Sequence, residues 1–148
     1  MDRKLPPPPG RYTPENRRRV LYAQRMMTQP AVSLSAGERD TTLAEIIRTC
    51  EYEDWLVHAA HVRSTHVHLV VTAVCAPEEV MAKLKAYVSR MLNAQFGRVG
   101  KRWARHGSTV WLWDDAGLEK AVDYVVRGQG KAMALFVNRG LWPEYGEL

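Results

Sequence analysis

The chain has 148 residues, 46% hydrophobic and 25% charged, the profile of one ordinary globular domain rather than a disordered or fibrous chain. No apolar run is long enough to span a membrane, and the opening MDRKLPPPPG has no apolar leader core, so a soluble, cytoplasmic protein is expected. Two cysteines, Cys50 and Cys75, are too few for a disulfide framework and read as free thiols, while a formal charge of +5 favours a polyanionic partner.

Residues 1–19 are rich in Pro and Arg and read as a flexible basic arm, with a single domain over 20–148. Val20 to Met27 (VLYAQRMM) fits a first strand and also a short helix. PAVSLSAGERD reads as a loop, punctuated by Pro30 and Gly37. Leu43, Ile46, Ile47 and Cys50 recur at i, i+3, i+4 and i+7, predicting a helix over 41–52 capped by Thr41 or Thr42. WLVHAAHV (55–62) and HVHLVVTA (66–73) then form an antiparallel hairpin. Pro77, Glu78 and Glu79 open a second helix with a stripe through Val80, Met81, Leu84, Val88, Met91 and Leu92, ended by Gly97. A glycine-punctuated basic loop (97–107) leads to a strand, STVWLW. Asp114 caps a third helix that stops at RGQG, and Trp142 packs back on the body. This order predicts an α+β fold of ferredoxin-like split β-α-β type, an antiparallel sheet with helices on one face.

His66 and His68 stand one residue apart in the second hairpin strand. Alternation sends Val67, Leu69, Val71 and Ala73 to the helix-covered face and both imidazoles to the other, about 7 Å apart. Two surface histidines on a solvated sheet would read the same way. Imidazole is also the commonest nitrogen ligand for metals, and two such ligands need a third. His58 and His61, three apart on the neighbouring strand, are expected to face opposite ways, so at most one could join. Tyr124 lies off the buried stripe of the third helix, beside Gly117, Ala121 and Gly128. It reads as a boundary tyrosine or as an aromatic left open to something bulky.

The pairing of HVH in VRSTHVHLVV with a later helical tyrosine resembles the HUH single-tyrosine transposases. It is most similar to their REP-associated tyrosine transposase group, within the insertion-sequence-200-like transposase domains. The resemblance covers roughly residues 40 to 136, including HGSTVWLWDDAGLEKAVDYVV. It implies a metal-dependent single-stranded DNA endonuclease and strand transferase acting on hairpin-forming DNA. Tyr124 would be the nucleophile and form a 5′-phosphotyrosine link, with Mg²⁺ or Mn²⁺ held by His66 and His68. A homodimer is the common active form in this family, a monomer the alternative. Where the family has an amide one turn past the tyrosine, position 128 is glycine and Gln129 follows, so Gln129 is the candidate third ligand. Thr65 stands where the family usually has asparagine before the first histidine.

Arg98, Lys101, Arg102, Trp103, Arg105 and His106 combine cations with an indole, which suits single strands: cations track phosphates while an aromatic ring stacks a base. A solvated loop with a core tryptophan fits the same residues. Arg17, Arg18 and Arg19 form a second basic patch for a hairpin backbone. Two other function classes remain open: a nucleic-acid-binding module of this fold without cutting activity, and an unrelated histidine metalloenzyme.

Overall fold

Pairing along its whole length with a second strand makes Val20–Met27 a strand (β1) rather than a helix. The computed structural model describes residues 20–98, 100–105 and 107–146. The basic arm, with Arg17, Arg18 and Arg19, and His106 lie outside the described residues.

Helix α1 spans Ala36–Glu53, starting five residues before the predicted 41–52. The reason is a capping box at SAGE: Ser35 Oγ accepts from the Glu38 N–H, and the Glu38 carboxylate accepts from the Ser35 N–H at 2.9 Å. Thr41 and Thr42 therefore lie inside the helix, not at its cap. The hairpin forms as expected from β2 (Leu56–Val62) and β3 (His66–Ala73). Helix α2 runs Pro77–Phe96, with proline in its first turn and Gly97 at its end. Strand β4 is Ser108–Trp111, and α3 (Asp115–Arg127) is capped by Asp114, whose carboxylate accepts from the Gly117 N–H at 2.7 Å. A short strand, β5 (Ala134–Val137), was not predicted; it pairs with β2.

The sheet order is β4-β1-β3-β2-β5, antiparallel throughout. This is the expected α+β ferredoxin-like arrangement, extended by β5 at one edge. Helices α1 and α2 cover one face, where Ile46, Cys50, Leu84, Val88 and Leu92 meet Val67, Leu69 and Val71. The third helix departs from the expectation of helices on one face. Leu118, Val122, Val125 and Val126 of α3 bury against Leu21, Ala59, Val70, Val137 and Trp142 on the opposite face. The face left open by α1 and α2 carries enough apolar area of its own to hold one amphipathic helix. Among the described residues no helix is long and apolar enough to cross a membrane.

Candidate active site

Register assembles the site. Ser108, Arg25, His68 and His61 face one another across β4, β1, β3 and β2, so they project on the same side of the sheet, and His66 follows opposite Met27. This is the side that α3 crosses. Tyr124 is 53% exposed on the helix surface, yet its ring centroid lies 5.5 Å from that of His68, edge to face. The His66 and His68 rings are 4.9 Å apart, also edge to face. The two histidines and the tyrosine singled out in the sequence are thus gathered into one cluster within a single chain.

The imidazoles are held neutral. Burial, then the neighbouring His66 and the Arg25 guanidinium, lowers the pKa of His68 to about 4. His66 is lowered by burial and by Arg25 and Arg63. A neutral ring has a lone pair to offer, which is what a metal or a proton transfer needs. Thr65 Oγ1 is hydrogen-bonded to His66 Nδ1 at 3.1 Å, which leaves Nε2 facing outward for a ligand.

His58 and His61 do not face opposite ways, which corrects the sequence-based expectation. The pairing of β2 with β3 skips a residue between Val57 and Ala59, a bulge centred on His58 that turns both rings to the α3 side. Neither ring is available as a ligand. His58 Nδ1 accepts from the Trp142 indole N–H at 3.2 Å, and its other nitrogen bonds Thr72 Oγ1 at 2.9 Å. His61 Nε2 accepts from the Met133 N–H at 2.8 Å, while Nδ1–H donates to the Val125 carbonyl at 3.1 Å. Both fasten α3 and the chain after it to the sheet.

Gln129 folds back at the end of α3. The helix stops at Arg127, the Gly128 N–H closes on the Tyr124 carbonyl, and Gln129 Nε2 donates to Val125 O at 3.3 Å. That bond fixes the amide orientation and leaves Oε1 buried with no hydrogen-bond partner among the described residues. No three His, Cys, Asp or Glu side chains of the described residues gather into a metal-holding group. Two neutral imidazoles and an unsatisfied amide oxygen are nevertheless a donor set that fits a divalent cation.

The basic loop divides. Arg98, Lys101 and Arg105 are exposed cations. Arg102, by contrast, is 3% exposed, and its guanidinium bonds Asn93, the Gly97 carbonyl and Glu38. Trp103 is 5% exposed, with its indole N–H on Ser89 Oγ. Both serve packing and present no surface to a nucleic acid, a correction to their reading as DNA contacts. Thr28 and Trp103 form an isolated bridge that pins the loop to the end of β1. Three cations near the site, Arg25, Arg63 and Lys120, escaped the sequence reading. Arg25 follows Leu21 and Ala23 at strand spacing, so an assured β1 would have placed it beside the histidines.

Comparison with known proteins agrees with this fold. A search of curated proteins returns no match. Among solved structures, a REP-associated tyrosine transposase bound to a REP hairpin is similar with a TM-score of 0.56 at 12% identity, over 72% of this chain and 64% of that one. The chain thus spans less than two thirds of the length of that relative. A protein of Deinococcus radiodurans R1 described as a candidate transposase has a TM-score of 0.51 at 12% identity, over 89% of this chain and 100% of that one. At such identity these likenesses speak for the fold. The model of the family described as "Transposase IS200 like" matches residues 13–115, more than half of the chain and all of the histidine strand, and the chain belongs to that family.

Proposed function

We propose that this protein is a metal-dependent single-stranded DNA endonuclease and strand transferase acting on hairpin-forming DNA. The observation that carries the reading is the packing of Tyr124 against His68, at 5.5 Å, on a partly open face lined with cations. Tyr124 Oη would form a bond to the scissile phosphorus as the bond to the 3′ oxygen breaks. The phenol gives up its proton, the leaving oxygen gains one, and the products are a 5′-phosphotyrosine link and a free 3′-hydroxyl. Attack by a 3′-hydroxyl on that link reverses the step, so rejoining needs no outside energy.

A phenol with a pKa near 10 is a weak nucleophile at neutral pH, so it needs an activated target. His66 and His68 would hold Mg²⁺ or Mn²⁺ with Gln129 as the third donor. Such an ion supplies a Lewis acid that polarises the phosphate oxygen. Arg25 and Arg63 add positive potential where charge develops, and α3, tied to the sheet through His61, holds the phenol in place. The complex of the REP-associated relative with a REP hairpin supports hairpin DNA as the substrate class. A second reading, a DNA-binding module that no longer cuts, is favoured by the glycine at position 128 and by a family match that ends at the first residue of α3, short of Tyr124.

The deciding experiment incubates the protein with Mn²⁺ and end-labelled single-stranded hairpins. A denaturation-resistant protein–DNA adduct that is absent in Tyr124→Phe is the expected result. Retention without any adduct would leave the binding module.

A further inference from the structure

A cleft of about 560 Å³ lies between α3 and the β1–β4 side of the sheet, opening beside Tyr124 and His68. It exists because α3 sinks its stripe of Leu118, Val122 and Val125 toward the middle of the sheet, and on its flank the small residues Gly117 and Ala121 leave space beside Lys120 and Tyr124. Gly117 and Ala121 form the helix wall, and Ala23, Ser108 and Val110 belong to the floor. Val110, an apolar side chain, is 59% exposed.

We propose that this cleft seats one unpaired nucleobase of the strand whose phosphate meets Tyr124. The inference rests on the function proposed above and deepens it. Volume is the first argument: the cleft falls in the range of small-molecule sites, nucleotide-sized and too small for a helix or a duplex. Charge is the second. Arg25 and Lys120 line it, and Asp114, the one carboxylate among its described lining residues, is engaged in capping α3. Arg25 Nε is buried without a hydrogen-bond partner among the described residues, a donor left for an acceptor on an incoming group. An apolar slot edged by cations matches a base with its flanking phosphates. A paired base is stacked within its duplex and cannot enter, so the seat selects single strands.

The test compares oligothymidylate about a dozen nucleotides long with an abasic deoxyribose-phosphate strand of equal length. Binding is measured in EDTA, which holds off any cleavage, for the parent and for two cleft-filling variants, Ala121→Leu on the helix wall and Val110→Phe on the edge strand. The parent should bind oligothymidylate roughly tenfold more tightly than the abasic strand, the scale of one well-seated base. Each variant should lose that preference while keeping its affinity for the abasic strand. Equal binding of the two strands by the parent overturns the proposal without any variant. So does an unchanged preference in whichever variant keeps the parental circular dichroism. The adduct assay stands apart: base-dependent binding without an adduct sinks the cutting chemistry alone, and an adduct without base preference sinks the seat alone.

Discussion

The ring of Tyr124 lies against the backbone of Gly128: a β-carbon added there would come 2.6 Å from Tyr124 Cδ1 and 2.9 Å from its carbonyl oxygen. The glycine that breaks the family's amide pattern is therefore what lets the phenol fold over the helix end toward His68. Gly128→Ala should shift the ring or the last turn of α3. Adduct formation with Mn²⁺ should slow by tenfold to a hundredfold, the scale of a displaced reacting group. An unchanged rate in a folded Gly128→Ala protein would show that the ring owes its position to something else.

Gln129 and His68 should act as equals toward a metal ion. Calorimetric titration with Mn²⁺ should show affinity reduced by at least about tenfold in both Gln129→Ala and His68→Ala. Near-parental affinity in Gln129→Ala would rule the amide out as a ligand and leave its buried oxygen without a role.

The metal-free protein should be less stable in mild acid. His68, His66 and His61 are all held below the ordinary value of 6.5, His68 at about 4, with burial the leading cause each time. The folded state keeps these rings neutral, whereas the unfolded chain takes up their protons below 6.5. Their contribution is thus complete above pH 6.5 and declines as pH falls toward about 4. The loss from His68 alone is on the order of 3 kcal/mol. Thermal unfolding in EDTA across that window measures it, and a flat midpoint would contradict the neutral assignment.

Arg102 and Arg105, three residues apart in one basic loop, should fail differently. Arg102→Ala takes a buried guanidinium away from Asn93, the Gly97 carbonyl and Glu38, which keeps the Ser35 N–H, and should cost about 1–3 kcal/mol of stability. Arg105→Ala should leave stability within about 0.5 kcal/mol and weaken DNA binding, with a shallower salt dependence. Denaturant melts set beside binding at two salt concentrations separate the two cases.

The same loop shows what a sequence reveals and what it hides. Alternation in HVHLVV is a property of one strand, so the shared face of His66 and His68 could be read directly. Helix α2 and the Asp114 cap carried equally local signals. Whether Arg102 and Trp103 faced solvent depended on where Asn93, Ser89 and Glu38 would lie, and no local pattern encodes that. The bulge at His58 is a single extra residue, invisible to periodicity because a run such as LVHAAHV alternates poorly either way. Strand β5 has four residues and exists through its pairing with β2. The start of α1 was legible, since SAGE carries the Ser and Glu of a capping box, but the apolar stripe beginning at Leu43 drew the boundary inward.

That one-residue bulge has the effect of a phase change in the strand. Before it, Val57 serves the layer beneath α1 and α2; after it, Ala59 serves the layer beneath α3. Removing His58 would restore simple alternation and leave the following side chains in their present register, with His61 still opposite His68. What would be lost is the second imidazole on the α3 side, with its bonds to the Trp142 indole and to Thr72 Oγ1. A deletion of this kind should therefore loosen the segment around Trp142 while leaving the hairpin able to pair and His61 tied to α3. The extra residue of β2 is in this sense what lets two imidazoles of one strand serve the same face, one holding α3 and the other the chain that follows it.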